Sequence, residues 1–182
     1  MIGAKLVFPG PHLDGKSLYE LMEGEKVTFS AGVPTVWLGL TQYLAARGER
    51  LRTLKRVVIG GVSRGGILSA VYAGTRPGSV AGVINFVGGW VGERCWNSNT
   101  INGGSFVRAA RFAQPMLWIY ADRDPFYSLR HSRANHQAFQ TAGGQSEFLE
   151  LDPVPGQNGH TLHPYPQLWQ DALDRYLQTV AP

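Results

Sequence analysis

The apolar residues of this 182-residue chain fall in short continuous runs with helical patterns between them, and this arrangement constrains the fold more than any other feature. Continuous runs, rather than strict alternation, are typical of parallel strands that are covered on both faces. The sequence therefore predicts a single α/β domain over residues 1–182, a three-layer αβα sandwich with a mostly parallel sheet of about five to six strands. The strands are predicted at Val27–Ser30, Leu54–Ile59, Val80–Val87, Met116–Tyr120 and Glu147–Leu151.

Helical spacing of apolar residues and end signals mark the segments between these strands. Pro34 fits the first position of a helix, where its missing N–H costs nothing, and that helix stops at Gly48. Ser128 is a helix cap, and the helix that it begins runs to Ala142. The polar, Gly-rich stretch 90–104 is predicted to be a loop. The remaining helices are predicted at Lys16–Glu25, Arg64–Ala73, Phe106–Ala113 and Leu168–Leu177.

The run Gly61-Val62-Ser63-Arg64-Gly65 fits the pattern G-x-S-x-G, directly after a buried strand and before a helix. A sharp strand-to-helix turn holds a serine in a strained conformation with its hydroxyl exposed. We expect side chains at Gly61 and Gly65 to collide with neighbouring elements, and the glycines to avoid this. The motif predicts that Ser63 is a nucleophile.

A serine hydroxyl is a poor nucleophile without a base, and the chain supplies an acid and a base in order. Asp124 follows the strand Met116–Tyr120, and His160 follows the strand Glu147–Leu151. Because the carboxyl ends of parallel strands share one edge of the sheet, both side chains are predicted to lie near Ser63.

Two alternatives compete with this pair. Asp122 lies beside Asp124, but Pro125 biases Asp124 towards an extended backbone that suits a loop residue reaching inward, so we favour Asp124. His163 lies three residues after His160, and the choice of His160 rests on the family resemblance described next.

Residues 57–182 resemble the dienelactone-hydrolase-like part of the α/β-hydrolase superfamily. Dienelactone hydrolases have a cysteine nucleophile, and this chain has serine there, so the resemblance implies hydrolysis of carboxylic esters more broadly. It also implies the Ser63, Asp124 and His160 roles and a small-molecule ester as substrate. The residues that carry it are Gly61-Val62-Ser63-Arg64-Gly65-Gly66, Gly82-Val83-Ile84-Asn85-Phe86, Ile119-Tyr120-Ala121-Asp122-Arg123-Asp124-Pro125 and Gly159-His160.

Residues 3–61 resemble a different family, the AMP-forming fatty-acyl-CoA synthetases, through Phe29-Ser30-Ala31-Gly32-Val33-Pro34-Thr35-Val36-Trp37 and the run from Leu54 to Gly61. The phosphate loop, the ribose-binding Thr-Gly-Asp and the catalytic lysine region of that family are not found. We therefore expect no ATP chemistry and no cofactor or metal. The hypothesis is a chimeric chain joined near Gly60-Gly61, with a non-catalytic fragment as the alternative.

An oxyanion hole needs two hydrogen-bond donors. The backbone N–H of Arg64, directly after the nucleophile, is the first candidate. In the hydrolase fold the second comes from the loop after the neighbouring strand, and here the N–H of Gly32 or Val33 is predicted to replace it. Without the early strands of a complete hydrolase, we expect an impaired rate.

Charge, cysteine count and the length of the apolar runs limit the kinds of partner and location that the chain can have. The net charge of +4 comes from scattered basic residues, and the group from Arg47 to Arg56 fits a solvated helix end better than a nucleic-acid site. Cys95 is the single cysteine, so no intrachain disulfide forms. No leader and no membrane-length apolar run is found, and a cytoplasmic protein is expected. An exposed sheet edge at Val27–Ser30 or Met116–Leu151 predicts a homodimer, and a catalytically dead dimer module is the remaining alternative.

Overall fold

The computed structural model describes residues 5–32 and 34–180. Five strands and six α-helices alternate along these residues, with short helical turns in the connections. The strands are β1 Phe29–Gly32, β2 Arg56–Val62, β3 Gly82–Phe86, β4 Met116–Ala121 and β5 Ser146–Leu151. The helices are α1 Gly15–Gly24, α2 Pro34–Arg47, α3 Arg64–Thr75, α4 Gly104–Ala109, α5 Leu129–Thr141 and α6 Gln170–Val180.

The strands form one parallel sheet in the order β1-β2-β3-β4-β5. Each strand is therefore paired with its neighbour in sequence: Gly32 is opposite Ile59, and Ile59 is opposite Val83. The crossover helices also contact one another in sequence, α2 with α3, α3 with α4 and α4 with α5. Right-handed crossovers that all step in one direction place their helices on the same face of a sheet.

The alternation of side chains along β3 assigns the second face. Asn85 lies against Gly66 of α3, so this side chain points to the face of the crossover helices. Gly82 instead lies against Tyr176 and Val180 of α6, and the Phe86 ring contacts Trp169 just before α6. Residues 82 and 86 are an odd number of positions from Asn85, so they point to the opposite face. Helices therefore cover both faces, and the predicted three-layer αβα fold is confirmed.

The core is centred on β4, whose six residues are all buried. Trp118 is 0% exposed and packs against a group of rings from the sheet and from the crossover helices α4 and α5. A separate, smaller cluster of Leu18, Met22 and Leu40 joins α1 to α2. The rings around Trp118 are Phe106, Tyr120, His136, Phe139 and Phe148.

Several predicted boundaries differ from the structure, and for three of them the contacts give the reason. The first strand begins at Phe29 rather than Val27, because the Val27 N–H donates to the Met22 carbonyl and closes the end of α1. The second strand does not stop at Gly60-Gly61, because both glycines pair with β3 and the strand continues to Val62. The last helix begins at Gln170 rather than Leu168, because a separate turn, Pro166–Leu168, precedes it.

The two edges of the sheet are β1 and β5. The predicted edge at Val27–Ser30 corresponds to β1, and the predicted edge at Met116–Leu151 contains the edge strand β5 together with the inner strand β4. Dimerisation through an edge stays a prediction. Among the described helices, none combines the length and the apolar character that crossing a membrane requires.

We predict that Trp118→Ala lowers the free energy of unfolding by about 3–5 kcal/mol, because it removes a fully buried indole and leaves a cavity among rings. Trp96→Ala is the matched control, since Trp96 is 93% exposed and its loss changes stability by no more than about 0.5 kcal/mol. Chemical denaturation of both variants measures the difference, and equal losses would contradict this packing.

Candidate active site

Ser63 occupies the single residue between β2 and α3, in a backbone conformation that residues other than glycine rarely adopt. Its φ is 57° and its ψ is −121°. Four backbone hydrogen bonds hold it there: the Ser63 N–H donates to the Phe86 carbonyl at 2.9 Å, and the Ser63 carbonyl accepts from Gly66 at 3.0 Å, Ile67 at 3.3 Å and Gly89 at 3.3 Å. The surrounding backbone therefore maintains a strained turn, as strand-to-helix turns at functional sites do.

The glycines around Ser63 differ in the space that a side chain would have at each position. A Cβ on Gly61 would lie 2.4 Å from the Gly65 carbonyl carbon, and a Cβ on Gly66 would lie 2.4 Å from the Asn85 side-chain oxygen. A Cβ on Gly65 would meet nothing within 4 Å. The expected collision is therefore correct for Gly61 and wrong for Gly65, because it is the backbone of Gly65, and not its missing side chain, that fills the space beside Gly61.

Asp124 lies in the loop after β4, and its two oxygens have separate partners. Oδ1 accepts hydrogen bonds from the N–H groups of Phe126 at 2.7 Å and Tyr127 at 3.1 Å. Oδ2 lies 2.9 Å from Nδ1 of His160. The Asp124 side chain is 0% exposed and that of His160 is 17% exposed. A carboxylate can only accept, so Nδ1 carries the hydrogen and Nε2 of His160 is left free to take up a proton.

His160 is placed by its two neighbours in sequence. A Cβ on Gly159 would lie 2.2 Å from the Asp122 carbonyl oxygen, so only glycine lets this loop lie on the end of β4. The Asn158 side-chain oxygen accepts the His160 N–H at 2.9 Å. The imidazole then lies edge-on to the ring of Phe126, with 4.8 Å between the ring centroids. The glycine of the Gly-His pair is thus a steric requirement of this loop.

Asp122 and His163, the alternatives for the acid and the base, do not take part in the Asp124–His160 contact. Asp122 is exposed, and its N–H extends the pairing of β4 with β5 by donating to Leu151. His163 is also exposed. The structure therefore brings Asp124 and His160 together and leaves Asp122 and His163 outside that contact.

Ser63 and His160 face a common cavity of about 540 Å³. Its walls are mostly apolar, and the exposed Arg64 lies at its edge, where Nε donates to the Trp90 carbonyl at 3.3 Å. The start of the stretch 90–104 forms part of the wall through Trp90, Val91 and Gly92, whereas no described residue of the first third lines the cavity. The lining residues are Val62, Ser63, Arg64, Trp90, Val91, Gly92, Phe126, Tyr127 and His160.

Asn102 and Tyr127 are site residues that the sequence patterns did not single out. Asn102 is buried in a π-helical turn within the stretch expected to be a loop, and its side chain bonds both the N–H and the carbonyl of Val91. It therefore fixes one wall of the cavity. The Asn-rich and Gly-rich composition of this stretch was the available signal.

The phenol of Tyr127 lies beside the Ser63 side chain. Burial raises the pKa of Tyr127, and a hydrogen bond with Ser63 acts in the opposite direction. Within residues 5–32 and 34–180, no hydrogen bond joins the Ser63 hydroxyl to His160. Hydrogen bonds between catalytic groups are often long before substrate binds.

Two of the three predicted oxyanion donors, Arg64 and Gly32, lie among the described residues. The Arg64 N–H is at the first position of α3, where helical N–H groups have no acceptor within the helix. Gly32 is opposite Ile59, and the end of β2 at Val62 is three residues, or about 10 Å, further along. The predicted role of Gly32 is therefore wrong, since its N–H is too far from Ser63. Val33 lies outside the described residues.

Comparison with protein families gives a match to the Phospholipase/Carboxylesterase family over residues 17–162. The match begins within α1, so it also covers most of the segment that resembles acyl-CoA synthetases. A long-chain-fatty-acid–CoA ligase of Thermus thermophilus is 62% identical over 61 residues, which are 34% of this chain and 11% of the ligase. The chain therefore spans about a ninth of the length of that relative. Both predicted resemblances are confirmed, and the join between them stays a prediction.

Solved structures with a similar fold include an esterase from Pyrococcus furiosus, with a TM-score of 0.54 at 12% identity over 77% of this chain and 59% of the esterase. A putative dienelactone hydrolase from Klebsiella pneumoniae has a TM-score of 0.49 at 17% identity, over 82% of this chain and 67% of that one. The likeness to the esterase shows that the two chains share a fold.

The two glycines of the motif give a matched pair of substitutions. We predict that Gly61→Ala lowers the free energy of unfolding by about 2–4 kcal/mol, because the new Cβ would overlap the backbone of Gly65. Gly65→Ala has open space and lies in the first turn of α3, so it leaves stability within about 1 kcal/mol of the wild type. Thermal and urea unfolding of both variants test this, and a larger loss for Gly65→Ala would contradict it.

Proposed function

Because this chain belongs to the Phospholipase/Carboxylesterase family, we propose that it hydrolyses carboxylic esters with Ser63 as nucleophile, His160 as general base and Asp124 as the acid that orients the base. One observation carries the proposal. The 2.9 Å contact between Asp124 and His160 lies at the wall of the cavity into which the strained turn presents Ser63.

The first half of the reaction forms an acyl-enzyme. Nε2 of His160 takes the proton of the Ser63 hydroxyl while Oγ attacks the ester carbonyl carbon, which becomes tetrahedral and bears a negative oxygen. When the intermediate collapses, the bond to the leaving alkoxide breaks, and His160 returns the proton to it, so an alcohol departs. The acyl group remains on Ser63.

The second half releases the acid. A water molecule gives a proton to Nε2 of His160 and attacks the acyl carbon, and the new tetrahedral intermediate expels the Ser63 oxygen. The proton on His160 passes to that oxygen. The products are a carboxylic acid and a free serine, so the site is restored.

Asp124 supports both steps without exchanging a proton. Its Oδ1 is fixed by two backbone N–H groups, so Oδ2 stays directed at Nδ1 of His160. The carboxylate selects the tautomer whose Nε2 is free and stabilises the imidazolium that forms in the transition state. Burial of Asp124 keeps water from competing for this contact.

We assign the Arg64 N–H as one oxyanion donor, since it begins α3 and the helix dipole adds positive potential there. Val33 remains a proposal for the second donor, and its position is outside the described residues. Loss of one donor typically lowers the rate by about 10²–10³-fold. We therefore expect slow turnover unless a second donor is present.

The cavity suits a small-molecule ester. Its volume of about 540 Å³ lies within the range of small-molecule sites. Trp90, Val91 and Phe126 offer apolar contact to the substrate. The likeness to the ligase covers 11% of that protein and supports no proposal of adenylation.

Ser63→Ala tests the proposal most directly. We expect the wild type to hydrolyse p-nitrophenyl acetate and to be labelled by a fluorophosphonate probe, and Ser63→Ala to lose labelling and at least about 10³-fold of the rate, because the nucleophile is gone. Release of p-nitrophenol and probe fluorescence give the two readouts. Equal rates for the two proteins, or no labelling of the wild type, would favour a catalytically dead module.

The acid is tested by a matched pair of neighbours. We predict that Asp124→Asn lowers kcat by about 10⁴-fold, because an amide favours the wrong tautomer of His160. Asp122→Asn leaves kcat within twofold, since Asp122 is exposed and does not contact the imidazole. Steady-state kinetics of both variants decide, and the reverse pattern would assign the acid to Asp122.

The base is tested in the same way with His160→Ala and His163→Ala. Only the first is expected to abolish probe labelling, because His160 lines the cavity and His163 is exposed. Labelling that survives His160→Ala and disappears with His163→Ala would overturn the assignment of the base.

A further inference from the structure

We propose that Tyr127 is a positioning residue that sets the distance between the Ser63 turn and the Asp124–His160 pair. This inference rests on the proposed function and goes beyond it. The nucleophile turn and the acid loop come from different strands, β2 and β4. The backbone of Tyr127 bonds to Asp124, and its side chain bonds to Gly89, which in turn bonds to Ser63.

Towards the pair, Tyr127 has two contacts. Its backbone N–H donates to Oδ1 of Asp124 at 3.1 Å, which holds the carboxylate in the orientation that directs Oδ2 at His160. Its ring lies against the imidazole, with 5.7 Å between the centroids. A shift of Tyr127 would therefore move both members of the pair.

Towards the nucleophile, the contact runs through one backbone residue. The Tyr127 hydroxyl donates to the Gly89 carbonyl at 2.8 Å, and the Gly89 N–H donates to the Ser63 carbonyl at 3.3 Å. A Cβ on Gly89 would lie 2.4 Å from the Tyr127 ring, so the ring and this backbone are in close contact. The aromatic ring thus acts as a spacer of fixed length between the two loops.

The phenol has a defined role in these bonds. Its one hydrogen is donated to Gly89, so towards the Ser63 hydroxyl the phenol oxygen can only accept. Because Tyr127 is buried, its pKa is raised and the hydroxyl stays protonated through the neutral range. The spacer is therefore neutral and does not compete with His160 as a base.

Spacing of this kind controls rate because reacting atoms must approach within about 3–3.5 Å, and a misplacement of about 1 Å costs up to 10²-fold. Tyr127→Phe keeps the ring and removes both the bond to Gly89 and the contact of the phenol with the Ser63 hydroxyl. We expect it to lower kcat and the rate of fluorophosphonate labelling by about 10-fold each, with KM changed less than twofold. The pocket wall is retained, so binding is not the affected step.

Tyr176→Phe is the matched control. Tyr176 is 4% exposed, as is Tyr127, and its hydroxyl also bonds to backbone, donating to the Pro115 carbonyl at 2.9 Å and accepting the Val83 N–H at 2.7 Å. It lies at the opposite end of β3 from Phe86 and the cavity. We expect Tyr176→Phe to lower the thermal midpoint while kcat and labelling rate stay within twofold of the wild type.

The kcat and the labelling rate of each protein are divided by the amount of Ser63 that the probe labels at saturation. Unfolded protein is not labelled, so it does not lower these values. A kcat and a labelling rate of Tyr127→Phe within twofold of the wild type, or losses equal to those of Tyr176→Phe, would overturn the positioning role. These outcomes leave the proposed function intact as long as the wild type is active and Ser63→Ala is not. An inactive wild type would instead refute the proposed function itself.

Discussion

The hydrogen bond from the Ser63 N–H to the Phe86 carbonyl is the interaction on which the rest of the site depends. It joins the turn after β2 to the end of β3 and holds Ser63 at a positive φ that the residue would not keep in an isolated segment. Gly61 permits this turn because the Gly65 backbone occupies the space of its missing side chain. The position of α3, and with it the direction of its first N–H groups, follows from the same turn.

The sequential order of the sheet creates a distance problem that the loops solve. Neighbouring strands lie about 4.8 Å apart, so β4 and β5 are about 10 and 14 Å from the strand that carries Ser63. Side chains alone cannot cover such distances. The loop after β5 instead lies on the end of β4 through Gly159, and the loop after β4 reaches the end of β3 through the contact of Tyr127 with Gly89. Each loop is therefore displaced by one strand towards β2. Because of this displacement, the Asp124–His160 pair and Ser63 lie at one cavity.

Local patterns predicted the elements of the fold well and their ends less well. The apolar run at β4 and the Ser128 cap of α5 are local signals, and the structure confirms both. The pattern Gly60-Gly61 suggested the end of a strand, yet both residues pair with β3, because the close approach of Ile84 and Gly65 favours glycine inside this strand. The expected donor at Gly32 failed for a similar reason: its position depends on the register of β1 with β2, which no single segment contains.

The sequence by itself determined the parallel αβα fold, the serine at a strand-to-helix turn, and the order of the serine, the acid and the histidine along the chain. These depend on periodicity and on residue types next to one another. The tertiary structure decided which aspartate meets the histidine, which glycine the turn requires, and that Tyr127 lies between the two loops. Those features depend on distances between residues that are remote in sequence, and such distances are fixed only when the sheet has packed.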